Sequence, residues 1–156
     1  MNDTRDGSGD GVAARAFSAL LLSLSGELVA GIQAGNATRG FSDVRPAHGY
    51  AFARLAPYGA TIGELADHLG FTKQAASQLV DELVRKGYVE RRPHPSDARA
   101  RLVVLTDRGW ACTRAADEAA AETVAPWIAE LGPERFHALV ADLARLAPRG
   151  PIRPSW

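Results

Sequence analysis

A chain of 156 residues, 46% of them hydrophobic and 23% charged, is one ordinary domain long and can bury a core without disulfides. Its single cysteine, Cys112, excludes an internal disulfide, and the polar, glycine-rich opening from Met1 to Gly11 does not read as a secretory signal. Apolar runs such as Ala19-Leu20-Leu21-Leu22 are broken by serines and Glu27 before the roughly 20 residues a bilayer requires. We therefore expect no membrane partner and a cytoplasmic location.

Residues 1–11 offer almost nothing to bury and read as a disordered tail. From Val12 onward, Phe17, Leu20, Leu21, Leu24, Leu28 and Ile32 recur at spacings of three and four, which predicts a first helix ending near Gly35 and Asn36. A loop follows over Gly40 to Asp43. Pro46 suits a first helical turn, so a second helix is expected from Arg45 to Leu55, stopped by Pro57 and Gly59. Thr61 followed by Glu64 has the spacing of a capping box, and Gly70 supplies a left-handed terminus for that short helix. After Phe71, Thr72 caps a further helix whose Ala75, Ala76, Leu79, Val80, Leu83 and Val84 form one apolar stripe. Two short helices joined by a glycine turn make a helix-turn-helix.

Lys86-Gly87 ends that helix, and the period then changes to that of strands, Tyr88 to Arg92 and Arg101 to Leu105. The prolines, Ser96 and Asp97 between them favour a hairpin loop, so the pair reads as a wing. Thr106 caps a long alanine-rich helix from Asp107 to between Val124 and Ile128, bent or ended at Pro126. Gly132 and Pro133 restart the chain into a last helix, Glu134 to Leu146, and the segment from Pro148 to Trp156 is expected to be irregular. The fold class is mainly α (α+β). One domain is expected over 12–147, with a winged helix-turn-helix at 45–106 and flanking dimerisation helices at 12–36 and 107–147. The apolar stripes of those flanking helices exceed what a small DNA-binding module covers, and a second copy of the chain would cover them.

The formal net charge is zero, yet Thr72 to Arg101 holds Lys73, Arg85, Lys86, Arg91, Arg92, Arg99 and Arg101 against Asp81, Glu82, Glu90 and Asp97. That local excess suits a footprint on phosphates. On a helical wheel Gln74, Ser77, Gln78, Asp81 and Arg85 lie opposite the apolar stripe. Gln74 and Gln78 are the candidates for reading base edges in the major groove, because an amide both donates to and accepts from adenine. Ser77 suits a base or a phosphate. Lys73, Arg85 and the helix N-terminus at Thr72 suit the backbone. On the wing, Arg99 is the candidate for the minor groove, Asp97 for steadying the loop or orienting Arg99, and Arg91, Arg92 and Arg101 for phosphates.

The stretch Thr61 to Gly109 resembles the winged helix-turn-helix of the MarR family of regulators. The motifs that carry this are Leu65-Ala66-Asp67-His68-Leu69-Gly70, Thr72-Lys73-Gln74-Ala75-Ala76-Ser77-Gln78-Leu79-Val80-Asp81-Glu82-Leu83, Lys86-Gly87-Tyr88-Val89-Glu90-Arg91 and the wing from Asp97 to Thr106. In the wing, His94 stands where that family commonly has aspartate, and Ala98 replaces the first of two frequent arginines. The resemblance implies a homodimeric, ligand-responsive repressor that binds a pseudo-palindromic double-stranded operator. It also implies a small aromatic or phenolic effector between the first two helices and the start of the long one, where His48, Tyr50, Phe52, Arg54 and Trp110 are the candidate contacts.

His48, His68, His94, His137 and Cys112 fall at no metal-ligand spacing, and Gly7, Gly9 and Gly11 follow no strand and precede no lysine. No metal, cofactor or enzymatic activity is expected. Two other readings remain: a winged-helix module that binds protein and not DNA, and a thiol redox sensor using Cys112 on the same scaffold.

Overall fold

The computed structural model describes residues 7–97 and 99–154. In chain order the elements are α1 (Gly7–Thr38), α2 (Pro46–Leu55), α3 (Ile62–Leu69), α4 (Lys73–Arg85), β1 (Val89–Pro93), β2 (Arg101–Leu105), α5 (Asp107–Leu131) and α6 (Pro133–Leu146). The architecture is thus mainly helical with one two-stranded antiparallel sheet, in which Val89 faces Leu105 and Pro93 faces Arg101.

Side-chain capping sets the helix starts. The Thr61 hydroxyl accepts the Glu64 N–H at 3.3 Å while the Glu64 carboxylate accepts the Thr61 N–H at 2.8 Å, a reciprocal capping box. Thr72 accepts the Ala75 N–H at 3.1 Å and Thr106 the Gly109 N–H at 3.2 Å. Gly70, at φ +68°, ends α3 in the left-handed conformation that turns the chain towards α4.

The core gathers between α2, α3, α4 and the hairpin, with Phe52, Leu55, Leu65, Leu69, Leu83, Tyr88, Val89 and Val103 all buried. Ala60 and Val103 exchange two backbone hydrogen bonds, of 3.0 and 2.8 Å, and so anchor the wing to the segment between α2 and α3. In α1, Gly31 and Gly35 lie against α5. A side chain at either would overlap Thr123 or Ala119, so the absent Cβ atoms are what allow the two helices to approach. Arg39 locks the same contact from the end of α1, reaching Glu118 at 3.2 Å and also pairing with Glu122.

Two expectations change. The helix α1 begins at Gly7 and not at Val12, so residues 7–11 of the expected tail are helical, while residues 1–6 lie outside the described residues. No proline stops the helix from extending towards its N-terminus, and Asp10 falls in the first turn, where a negative charge is favoured. The helix α5 also runs through Pro126 to Leu131. Pro126 is exposed, so the peptide carbonyl it leaves unpaired one turn back lies towards solvent.

The N-terminal part of α1 and much of α6 lie uncovered, although Phe136 and Leu143 of α6 are half-buried. Val12, Phe17, Leu20 and Leu22 on α1 and Leu139, Val140 and Leu146 on α6 are exposed, and α6 buries no residue. By length and composition alone, Asp10–Thr38 is apolar enough to cross a bilayer. Serines and Glu27 interrupt that run locally.

Candidate nucleic-acid interface

One face of α4 is free of the core. Ala76, Leu79, Val80 and Leu83 are buried, whereas Thr72, Lys73, Gln74, Gln78 and Arg85 are exposed and Ser77 is half-buried. The Thr72 side chain is committed to its cap, which orients the free N–H groups of the first turn outward. This face therefore carries amide donors and acceptors near its N-terminal end and a cation at each end.

An ion pair ties the wing to α4. Residues directly opposite each other in an antiparallel sheet share a face, so Arg91, opposite the buried Val103, points towards the helix, where it meets Asp81 at 2.7 Å. Arg92, opposite Leu102, projects from the other face, bonds Glu90 through Nε at 2.7 Å, and lies in a groove beside Tyr58 and Trp110. The structure thus brings Arg91 beside the α4 face and separates Arg92 from it. Arg99 and Arg101 are exposed on the wing.

Asp97 accepts the backbone N–H of Arg99 at 2.9 Å, which fixes the turn and leaves the guanidinium clear of it. His94 does similar work: its Nδ1 accepts the Ser96 N–H at 3.3 Å, the bond an aspartate at that position makes to the residue two ahead. The ring thereby replaces the carboxylate as the loop's acceptor. Ala98, the other wing position that departs from the usual pattern, lies outside the described residues.

Behind α4 a polar cluster holds its C-terminal end in place. Tyr88 is fully buried; its hydroxyl donates to Asp43 at 2.7 Å and accepts from Arg108 at 3.1 Å, and the Arg108 guanidinium lies over its ring at 4.7 Å. Burial, aided by the Asp43 carboxylate, pushes the phenol up to about 12, so it remains a donor. Lys86 bonds the Asp43 carbonyl at 2.6 Å, and Thr106 bonds the Gly87 carbonyl at 2.6 Å. The loop before α2, the exit from α4 and the entry to α5 are therefore one hydrogen-bonded unit.

His48 is missing from the space expected for an effector. It is wholly buried against α4, with Nδ1 accepting the Arg45 N–H at 3.1 Å and Nε2 directed at Glu82 at 3.4 Å. Burial holds it below the ordinary histidine range, against the pull of Glu82. Arg54 pairs with Glu64 at 3.0 Å, and Trp110 packs under the wing groove, so neither reaches that space. Tyr50 and Phe52 do. They line a cavity of about 530 Å³ bounded by α1, α2, α5 and the C-terminal segment. Its other walls include Gln33, Asn36, Thr113 and Asp117, which periodicity gives no means of finding because they meet only through the packing of α1 on α5. Cys112 also lies on this cavity. Burial pushes its thiol up to about 11, so at neutral pH it carries little of the reactive thiolate.

A capped helix pair with a free polar face, followed by a hairpin tied to that face, defines a winged helix-turn-helix, a fold widely used to bind DNA. Residues 42–100 match the sequence model of the MarR family. The chain also superposes on RV1404 from Mycobacterium tuberculosis, at 26% identity over 85% of this chain and 90% of that one with a TM-score of 0.72. Wild-type MarR from E. coli, in its apo form, shares the fold at 22% identity over 84% and 96% of the two chains, with a TM-score of 0.67. A mutant of MepR from S. aureus bound to an oligodeoxyribonucleotide does so at 22% identity over 83% and 94%, with a TM-score of 0.60. No curated protein matches the chain. Over residues 42–100 the chain thus resembles the MarR family in sequence, and as a whole it has the fold of these structures.

Proposed function

We propose that the protein is a homodimeric repressor that inserts the two α4 helices of the dimer into successive major grooves of a pseudo-palindromic operator. The observation that carries this reading is the exposed Gln74 and Gln78 face of α4, held beside the wing by the Arg91–Asp81 pair. In it Gln74 and Gln78 read bases, and Ser77 supports them. Lys73, Arg85, Arg101 and the amides after Thr72 hold phosphates, and Arg99 enters the minor groove. Arg91 positions the wing through Asp81, and Asp97 shapes its loop. Arg92, turned to the far face, contributes only the general positive field. The flanking segments 12–36 and 107–147 form the dimer, and a small aromatic or phenolic effector in the cavity beside Tyr50 and Phe52 shifts the pair of α4 helices out of register with the operator.

The test is a gel-shift titration against the promoter beside the protein's own gene, with salt varied. Lys73→Ala is expected to weaken binding to all sequences alike and to flatten the salt slope by about one unit. Gln78→Ala should instead relax the preference at one base position in each half-site, a loss of about 1–3 kcal/mol against the cognate sequence. Binding that ignores Gln74→Ala, Gln78→Ala and Arg99→Ala together rejects these contacts. Absence of any DNA binding at moderate salt would favour the protein-binding module.

A further inference from the structure

Asp81 and Glu82 are neighbours on α4, so their side chains leave the helix about 100° apart. They are taken up by different elements. Asp81 meets Arg91 of the wing at 2.7 Å, whereas Glu82 turns towards α2 and meets His48 at 3.4 Å together with Arg45, the residue before that helix. At the same angular step per residue, Gln74, Gln78 and Arg85 all fall in the arc between these two carboxylates, and all three are exposed. The polar face of α4 is therefore flanked by two acidic residues, each bound to a neighbouring element.

The buried stripe of Ala76, Leu79, Val80 and Leu83 holds α4 against the core, but apolar contact is non-directional and tolerates some roll of the helix about its axis. Hydrogen bonds do not. The His48 ring is wholly buried, and its Nδ1 accepts the Arg45 N–H at 3.1 Å, so the ring proton sits on Nε2 and points at Glu82. Lys86, one turn further along α4, holds the same carboxylate at 2.8 Å. Glu82 is thus fixed from its own helix and meets a ring that the first turn of α2 has already oriented. The lever matters at the operator: at a radius of about 6 Å, a roll of about 30° carries a side-chain tip roughly 3 Å, the length of a hydrogen bond.

We propose that Glu82 is a positioning residue for base reading: through the buried His48 it holds α4 at the rotation that presents Gln74 and Gln78 to the major groove. Asp81 does the same from the side of the wing. The proposal deepens the operator reading and rests on it. Its consequence is specific, because a rolled α4 misaligns the amides while the flexible cations around it still reach phosphates.

Selection from a pool of randomised duplexes, sequenced after binding to the full chain, tests it by comparing Glu82→Leu with Glu82→Gln. Both variants remove the same charge, but only glutamine keeps an acceptor for His48 Nε2–H and for Lys86. The parent and Glu82→Gln are expected to select one motif, with a preference of about tenfold at the base Gln78 reads. In Glu82→Leu that preference is expected to fall to about twofold or less, with the same salt slope as Glu82→Gln. His48→Asn approaches the contact from α2: its side-chain oxygen still accepts the Arg45 N–H, its amide stops short of Glu82, and it is expected to blur the same base. This second variant decides the matter if Glu82→Leu does not fold. A motif that stays sharp in Glu82→Leu or in His48→Asn, or one blurred equally by leucine and glutamine at position 82, would overturn the role while leaving the operator reading intact. A parent that selects no motif would overturn both.

Discussion

Glu82 of α4 has three partners at once: Lys86 at 2.8 Å at the end of its own helix, and, joining it to α2, Arg45 and the buried His48 at 3.4 Å. The Lys86 bond, followed by the nearby positive charges, holds its carboxyl below the usual carboxylate range, so the loss of that stabilisation begins only as pH falls under the value of about 4.5 ordinary for glutamate. His48 acts earlier. Its folded pKa is depressed by burial, so below the ordinary value of 6.5 the unfolded chain takes up a proton that the folded chain refuses. Stability is complete above that value and declines as pH drops towards the folded pKa, by up to about 1.4 kcal/mol per pH unit within the window. We expect urea midpoints to fall between pH 6.5 and 5, and His48→Gln to show a shallower fall over the same range. An unchanged slope in the variant would place the acid sensitivity elsewhere, with buried His68 the next group to examine.

At the scale of elements, the α1–α5 contact depends on small residues where the helices approach. Replacing Gly35 by Val puts a branched side chain into Ala119 and crowds the Arg39 guanidinium, so the helices must separate. A loss of about 1–3 kcal/mol is expected, the usual scale for overpacking, read from the denaturant midpoint. Gly63→Ala, inside α3 with the nearest atoms at 3.9 Å, serves as the control and should cause no loss of stability, helix propensity favouring alanine there. The sequence makes some elements plain and conceals others for a physical reason. The Thr61 and Thr72 caps, the Gly70 turn and the polar face of α4 are local, written within one or two turns, and they are found where the pattern places them. The Arg91–Asp81 tie requires strand register to assign a face, and the Arg39 pairs with Glu118 and Glu122 span about eighty residues. The effector candidates separate on the same ground. Tyr50 and Phe52 line the cavity, while His48 and Arg54, on the same short helix, are drawn off by Glu82 and Glu64, partners no spacing rule connects to them.

Large apolar side chains lie exposed along both terminal helices, and their distribution argues for a second copy. The exposed leucines do not scatter; they concentrate on the two helices at the ends of the chain, while the helix-turn-helix between them closes its own core. A lipid surface would take α1 alone, but it would leave Leu139, Val140 and Leu146 of α6 uncovered. A twofold pairing covers both helices and sets two α4 helices side by side, which one subunit cannot do. Leu20, 61% exposed in the single chain, discriminates these arrangements. If Leu20 stays in water, Leu20→Glu is nearly silent. If it lies in a dimer interface, each copy buries a charge, and dimerisation should weaken by about 3 kcal/mol or more, over a hundredfold in dissociation constant. Sedimentation equilibrium at micromolar concentration is expected to show the parent as a dimer and Leu20→Glu as a monomer, with the melting temperature of the parent rising with concentration and that of the variant constant. A variant that stays dimeric would move the interface away from α1, and a parent that sediments as a monomer would remove the twofold geometry on which the operator spacing depends.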